Sequence, residues 1–244
     1  TAFGNPDPFR EWKDRENKKY LELYPWLKGL VVASEDSLFT AVNLAIMGNS
    51  IDPMGLQNPQ DLEQAIEGLL AYPVPKERFA DLKDRLEQSS LVIYLGDNCG
   101  EIVFDKLLIE TMKAHYELEV VFVVRSMPTL NDATPREAAL SGMDNVATVI
   151  ENGIDGPLPG IILSRCSAQL RSLWSSADLV ISKGGGNFDN LDEEESLTVP
   201  VYYMLMSKCI PYQDYFKVPV NYPILSRYSS TSRSGCRTPP SEPK

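Results

Sequence analysis

The rhythm of hydrophobic positions changes near residue 90. Between residues 7 and 88 apolar side chains recur at helical spacing among charges: Phe9, Trp12 and Tyr20, then Leu23, Trp26, Leu27 and Leu30 as one stripe. Residues 37–47 continue as a helix that Gly48 and Asn49 end, residues 61–64 open another, and 76–86 reads as one more. With no alternating strand pattern, residues 1–88 predict a small all-helical domain. Beyond Ser90 the pattern becomes short runs that are apolar throughout, at 91–95, 120–124, 146–150, 179–181 and 199–206. Helix-compatible stretches separate them: 102–115, a helix opened by the capping box Thr134-Pro135-Arg136-Glu137, and 167–174. Wholly apolar strands alternating with helices belong in a parallel sheet covered on both faces. Residues 89–224 therefore predict a Rossmann-like α/β domain, with a mostly parallel sheet and helices on both faces. Residues 225–244, rich in Ser, Arg and Pro, predict a disordered tail.

In such a sheet, ligands bind outside the carboxyl ends of the strands. The first run leads into Gly96-Asp97-Asn98-Cys99-Gly100-Glu101, the second into Arg125 through Asn131-Asp132, and the fourth into Ser182-Lys183-Gly184-Gly185-Gly186-Asn187-Phe188. The fold brings these three polar loops to one rim. Asp97, Asn98 and Asp132 offer two carboxylates and a carboxamide, a hard oxygen set that suits a divalent cation. The competing assignment for Asp97 or Asn98 is a helix cap. Lys183 and the three glycines predict a phosphate cradle, in which backbone N–H groups approach an anion beside a point charge; the competing assignment is a flexible turn.

Composition narrows the chemistry. The chain has 23 basic and 34 acidic residues, a formal charge of −11, which argues against nucleic acid as a partner. No apolar run approaches the ~18 residues that span a bilayer, so no membrane association is expected. The first residues lack a basic stretch followed by an apolar core, so no signal peptide is expected. Four scattered cysteines (99, 166, 209, 236) and a single histidine, His115, exclude a Cys/His zinc site. Reduced thiols fit a cytoplasmic protein, and the cation must be one that oxygen ligands hold: magnesium or manganese, or else cobalt or nickel. A Walker loop fails because Lys183 precedes its glycines, and a dinucleotide fingerprint fails because Asp189 stands where glycine is required. A cysteine phosphatase needs an arginine six positions after the nucleophile, but Asp105 and Ser172 stand there after Cys99 and Cys166. Metal-activated hydrolysis remains, with Glu101 or Asp132 positioning the water.

Five ordered stretches, DPFREWKDREN (7–17), AIMGNSID (45–52), LGDNCGEIVFDKLLIE (95–110), NDAT (131–134) and ADLVISKGGGNFDNL (177–191), resemble the DUF89 family of damage-control phosphatases, most closely its prokaryotic and archaeal-type subfamily. The resemblance implies a helical domain on a Rossmann-like one. It also implies a cation held by Asp97, Asn98 and Asp132, and a substrate phosphate on Lys183 and on backbone donors near Gly185 and Gly186. Glu101, Asn131, Asn187, and Asn49 with Asp52, would line the pocket. The implied substrates are small phosphorylated metabolites, either sugar phosphates or damaged phosphorylated compounds. The alternatives are a carboxyl methyltransferase using S-adenosylmethionine, which would want more glycine after the first strand, and a non-catalytic metabolite-binding protein.

Overall fold

The structure, a computed structural model, describes residues 4–51, 59–194 and 197–228, apart from the side chains of 49–51, 59 and 60. Four helices come first: α1 (Arg10–Ala33), α2 (Ser37–Ile51), α3 (Pro59–Leu70) and α4 (Lys76–Glu87). Alternation then begins with β1 (Leu91–Leu95), α5 (Glu101–His115), β2 (Glu119–Val124), α6 (Pro135–Ser141) and β3 (Thr148–Glu151). It continues through α7 (Ala168–Ser176), β4 (Leu179–Lys183), α8 (Gly184–Leu191), β5 (Val201–Met206), α9 (Ile210–Phe216) and β6 (Pro223–Arg227). The sheet order is β3-β2-β1-β4-β5-β6, parallel except for β6, which runs antiparallel to β5.

Because side chains alternate across a strand, apolar runs feed two cores at once. Val92 and Tyr94 of β1 and Val120 and Phe122 of β2 face one side, with α5 and α6; Ile93, Leu95, Val121 and Val123 face the other, with α7, α8 and α9. The N-terminal helices share the first of these cores. In α2, Leu38, Ala41, Val42, Leu44, Ala45, Ile46 and Met47 are all buried, so this helix is apolar all round and lies between α5 and β5. The expected division at residue 88 falls in the turn between α4 and β1, and the packing across it is continuous.

Several local expectations change. The helix expected to end at Gly48 and Asn49 runs through both to Ile51, with Gly48 packed closely against Phe104 of α5, and the third strand begins at Thr148 instead of Val146. Residues 225–227, assigned to a disordered tail, form β6: burial of Ile224 and Leu225 and a full ladder to β5 outweigh the polar composition. The fifth strand begins at Val201, after Pro200, which has no N–H to give to a ladder. The segment 182–188 is not a loop. Lys183 ends β4, and helix α8 starts at Gly184.

Candidate active site at the carboxyl ends of the strands

The crossover after β1 runs to one face of the sheet and that after β4 to the other, so a crevice opens where these neighbours end. The loops after β1 and β2 are stitched together there. Asn98 and Asp132 form an isolated antiparallel bridge. The Ala133 N–H donates to the Asp97 carbonyl at 2.8 Å, and the Cys99 N–H donates to the Asn131 carbonyl at 2.8 Å. Asp97, Asn98 and Asp132 thus come together from two strand ends, as their order in the sequence implied.

Both acids are buried, with 8% of Asp97 and 4% of Asp132 exposed. Burial pushes the Asp97 carboxyl well above the ordinary range, and repulsion from Asp132 and Glu101 adds to it; Arg125 and Lys208 pull the other way. Burial raises Asp132 as well, against the opposing pull of Arg125. Arg125 follows β2 and lies between the two acids. Its Nε donates to Asp132 Oδ2 at 2.6 Å, and its Nη2 is 3.5 Å from Asp97 Oδ1. Asn98 Nδ2 donates to Asp97 Oδ2 at 2.9 Å and to Glu101 Oε2 at 3.3 Å, leaving its carbonyl oxygen out of both bonds.

These residues fit a hard divalent cation. Two desolvated carboxylates side by side require positive charge, and the amide oxygen of Asn98 adds a neutral donor. Among the described residues no group of three His, Cys, Asp or Glu side chains is gathered closely enough to hold a metal, so amide or water oxygens must complete the shell.

Lys183 is placed differently from the expectation. Its ammonium is fully buried, donating to Glu101, to Asp105 Oδ1 at 2.7 Å and to the Ala45 carbonyl of α2 at 2.7 Å. Burial works against that charge, but Asp105 and Glu101 more than offset it and hold the lysine pKa above its usual value. Burial in turn pushes the Asp105 carboxyl up to about 6, with Lys183 opposing. The lysine is therefore spent on a network beneath the β1 loop. Asn187 is spent too: Nδ2 donates to the Gly96 and Lys183 carbonyls, and Oδ1 accepts from Arg125.

The glycines matter for space. Gly184 has φ +75°, and a Cβ there would overlap the Asp97 carboxylate, so only glycine lets β4 turn into α8 beside that acid. Gly185 lies under the Tyr212 hydroxyl and Gly186 against the Pro159 carbonyl. The Asn49 side chain and all of Asp52 lie outside the described residues.

The sequence reading missed several contributors. Arg125 carried a faint signal, being the first charge after a wholly apolar strand. Asp105 stands one turn after Glu101 on α5, the spacing that lets both meet one lysine. Lys208, exposed just after β5, pulls the Asp97 pKa down, and the Tyr212 hydroxyl of α9 is pushed up by burial and Asp189 first and by the Asp97 charge in turn. The edge-on packing of Phe188 against Tyr203, Tyr212 and Tyr215 seats that segment over α8. From α1, Asn17 Oδ1 accepts the Gly100 N–H at 2.5 Å, where Gly100 holds φ +81° at the start of α5. Nearby on α1, Lys13, fully buried, pairs with Asp7 at 3.3 Å. These contacts give the first of the five sequence stretches a place in the molecule.

The family model described as the damage-control phosphatase ARMT1-like domain matches residues 1–222. An uncharacterized protein of Methanocaldococcus jannaschii is 34% identical, over 91% of this chain and 73% of its own length. A damage-control phosphatase of Archaeoglobus fulgidus is 32% identical, covering 85% of this chain and 71% of that protein. One from Pyrococcus horikoshii is 30% identical, covering 88% and 73%. The crystal structure of a DUF89 family protein from Pyrococcus horikoshii superposes with a TM-score of 0.80 at 29% identity, over 92% of this chain and 76% of that one.

Proposed function

This chain belongs to the ARMT1-like damage-control phosphatase family, and on that premise we propose that it hydrolyses phosphomonoesters of small metabolites in the crevice formed by Asp97, Asn98 and Asp132. Sugar phosphates and damaged phosphorylated metabolites are the substrate classes the family supports. The observation that carries the site assignment is the pair of buried carboxylates held side by side by the 98–132 bridge and a single guanidinium.

Carboxylate oxygens of Asp97 and Asp132, with the carbonyl oxygen of Asn98, would hold a divalent cation: magnesium, manganese, cobalt or nickel. Bound there, such a cation supplies Lewis acidity toward a phosphoryl oxygen and a more acidic water. Asp132 is the acid we assign to positioning the attacking water, because both oxygens of Glu101 already accept, from Lys183 and from Asn98, whereas Arg125 bonds only the Oδ2 of Asp132. Asn131 and Gly185 border the crevice, one on the β2 loop and one at the head of α8. The first-turn N–H groups of α8, which lack partners within the helix, emerge at the same edge and offer donors to the phosphate. For the cationic contact we assign Lys208 in place of Lys183: it is exposed, it follows β5 at the same rim, and its field already reaches Asp97.

The test is phosphate release from a panel of phosphomonoesters in the presence of each metal. We expect turnover to vanish in EDTA and return with manganese or cobalt. Full turnover in EDTA would contradict the scheme. So would no release with any metal together with stabilisation by S-adenosylmethionine, which would favour a methyltransferase.

A further inference from the structure

We infer that Arg125 is a positioning residue for the proposed cation site, one forked guanidinium that sets the orientation of both acids and thereby how tightly the cation is held. The inference rests on reading Asp97 and Asp132 as its ligands.

Two of the three guanidinium nitrogens are anchored by hydrogen bonds, and the third, Nη2, is buried within ion-pair distance of Asp97 without a hydrogen bond of its own. Nε donates to Asp132 Oδ2 at 2.6 Å, while Nη2 faces Asp97 Oδ1 at 3.5 Å. Nη1 donates to Asn187 Oδ1 at 3.0 Å and to the Gly160 carbonyl at 3.2 Å. Those last two acceptors are neutral and belong to α8 and the segment before α7. The arginine is therefore located by parts of the fold that do not depend on the acids. It hydrogen-bonds one oxygen of Asp132, stands at ion-pair distance from one oxygen of Asp97, and leaves the second oxygen of each uncommitted to it. With only 3% of the residue exposed, water cannot replace it.

Two buried like charges otherwise separate or take up a proton, and either response spoils a ligand pair. A planar fork with fixed N–H directions can hold two carboxylates at once, whereas a lysine presents one point charge and satisfies one of them. Groups that orient metal ligands in this way typically cost 10–100-fold in metal affinity when removed. Charge alone would predict the opposite ranking, since deleting a cation beside the site should tighten binding of another.

The experiment is calorimetric titration of manganese chloride into the metal-free wild-type chain and into Arg125→Met, Arg125→Lys and Asp132→Asn, each checked for folding by circular dichroism. We expect wild type to bind one ion, Asp132→Asn to lose binding, and both arginine variants to bind at least roughly ten-fold more weakly while folded. Should Arg125→Met fail to fold, Arg125→Lys carries the comparison. Wild-type affinity or better in a folded Arg125→Lys would overturn the inference and leave the ligand assignment standing. A wild type that binds no manganese, or an Asp132→Asn that binds it unchanged, would remove the ligand assignment itself.

Discussion

Replacing Lys183 with methionine separates two roles that the sequence alone runs together. As a phosphate contact, the lysine would face the crevice, and its loss would weaken substrate binding while leaving the fold intact. In the structure its ammonium is fully buried and neutralises two acids, Glu101 and Asp105, whose carboxylates are themselves sealed from water. Methionine fills much of the same volume but leaves those acids without a counter-charge. Removing one partner of a buried ion pair costs about 3–5 kcal/mol. For a domain of this size, each kcal/mol moves the melting temperature by about 2–4 °C, so the expected fall is roughly 6–20 °C. Thermal unfolding followed by circular dichroism in EDTA reads this without any contribution from metal. Adding Glu101→Gln and Asp105→Asn to Lys183→Met should recover part of the loss, because the stranded charges go with the lysine. A Lys183→Met protein that melts within a degree or two of wild type, with only its KM raised, would refute the reasoning.

Lys208→Ala removes the exposed cation assigned to the phosphate. A charge-assisted hydrogen bond contributes about 1.5–3 kcal/mol, so kcat/KM should fall by roughly 10–100-fold with the melting temperature unchanged; unaltered kinetics would exclude Lys208 from the site. Asn17→Ala leaves the buried Gly100 N–H without its acceptor and should cost about 1–3 kcal/mol in urea unfolding. An unchanged midpoint would mean that α1 does not brace the β1 loop.

Much of the sheet was legible because β1, β2 and β4 are uninterrupted apolar runs with a polar turn at each carboxyl end. That pattern alone located the loops carrying Asp97, Asn98 and Asp132. The helix α8 was hidden because three successive glycines have little intrinsic helix propensity; the closeness of the Asp97 carboxylate and the Tyr212 hydroxyl selects glycine there. β6 was hidden by five residues of mixed character in a Ser/Arg/Pro-rich stretch, with only the β5 edge to reveal them. Lys183 was misread because burial of a charge is decided by partners 78 and 82 positions away, which no local pattern records. The same holds for Arg125 and Asn187, which are 62 positions apart. The all-round apolar character of α2 was also present in the sequence, but the stretch was read only as one helix of a separate helical domain and not as part of the core under the sheet.

The central claim is a location, and anomalous X-ray scattering from crystals soaked in manganese chloride tests it most directly. One peak is expected about 2.0–2.3 Å from carboxylate oxygens of both Asp97 and Asp132, with the Asn98 amide oxygen alongside. A peak bound elsewhere, with neither of these two acids among its ligands, would contradict the account.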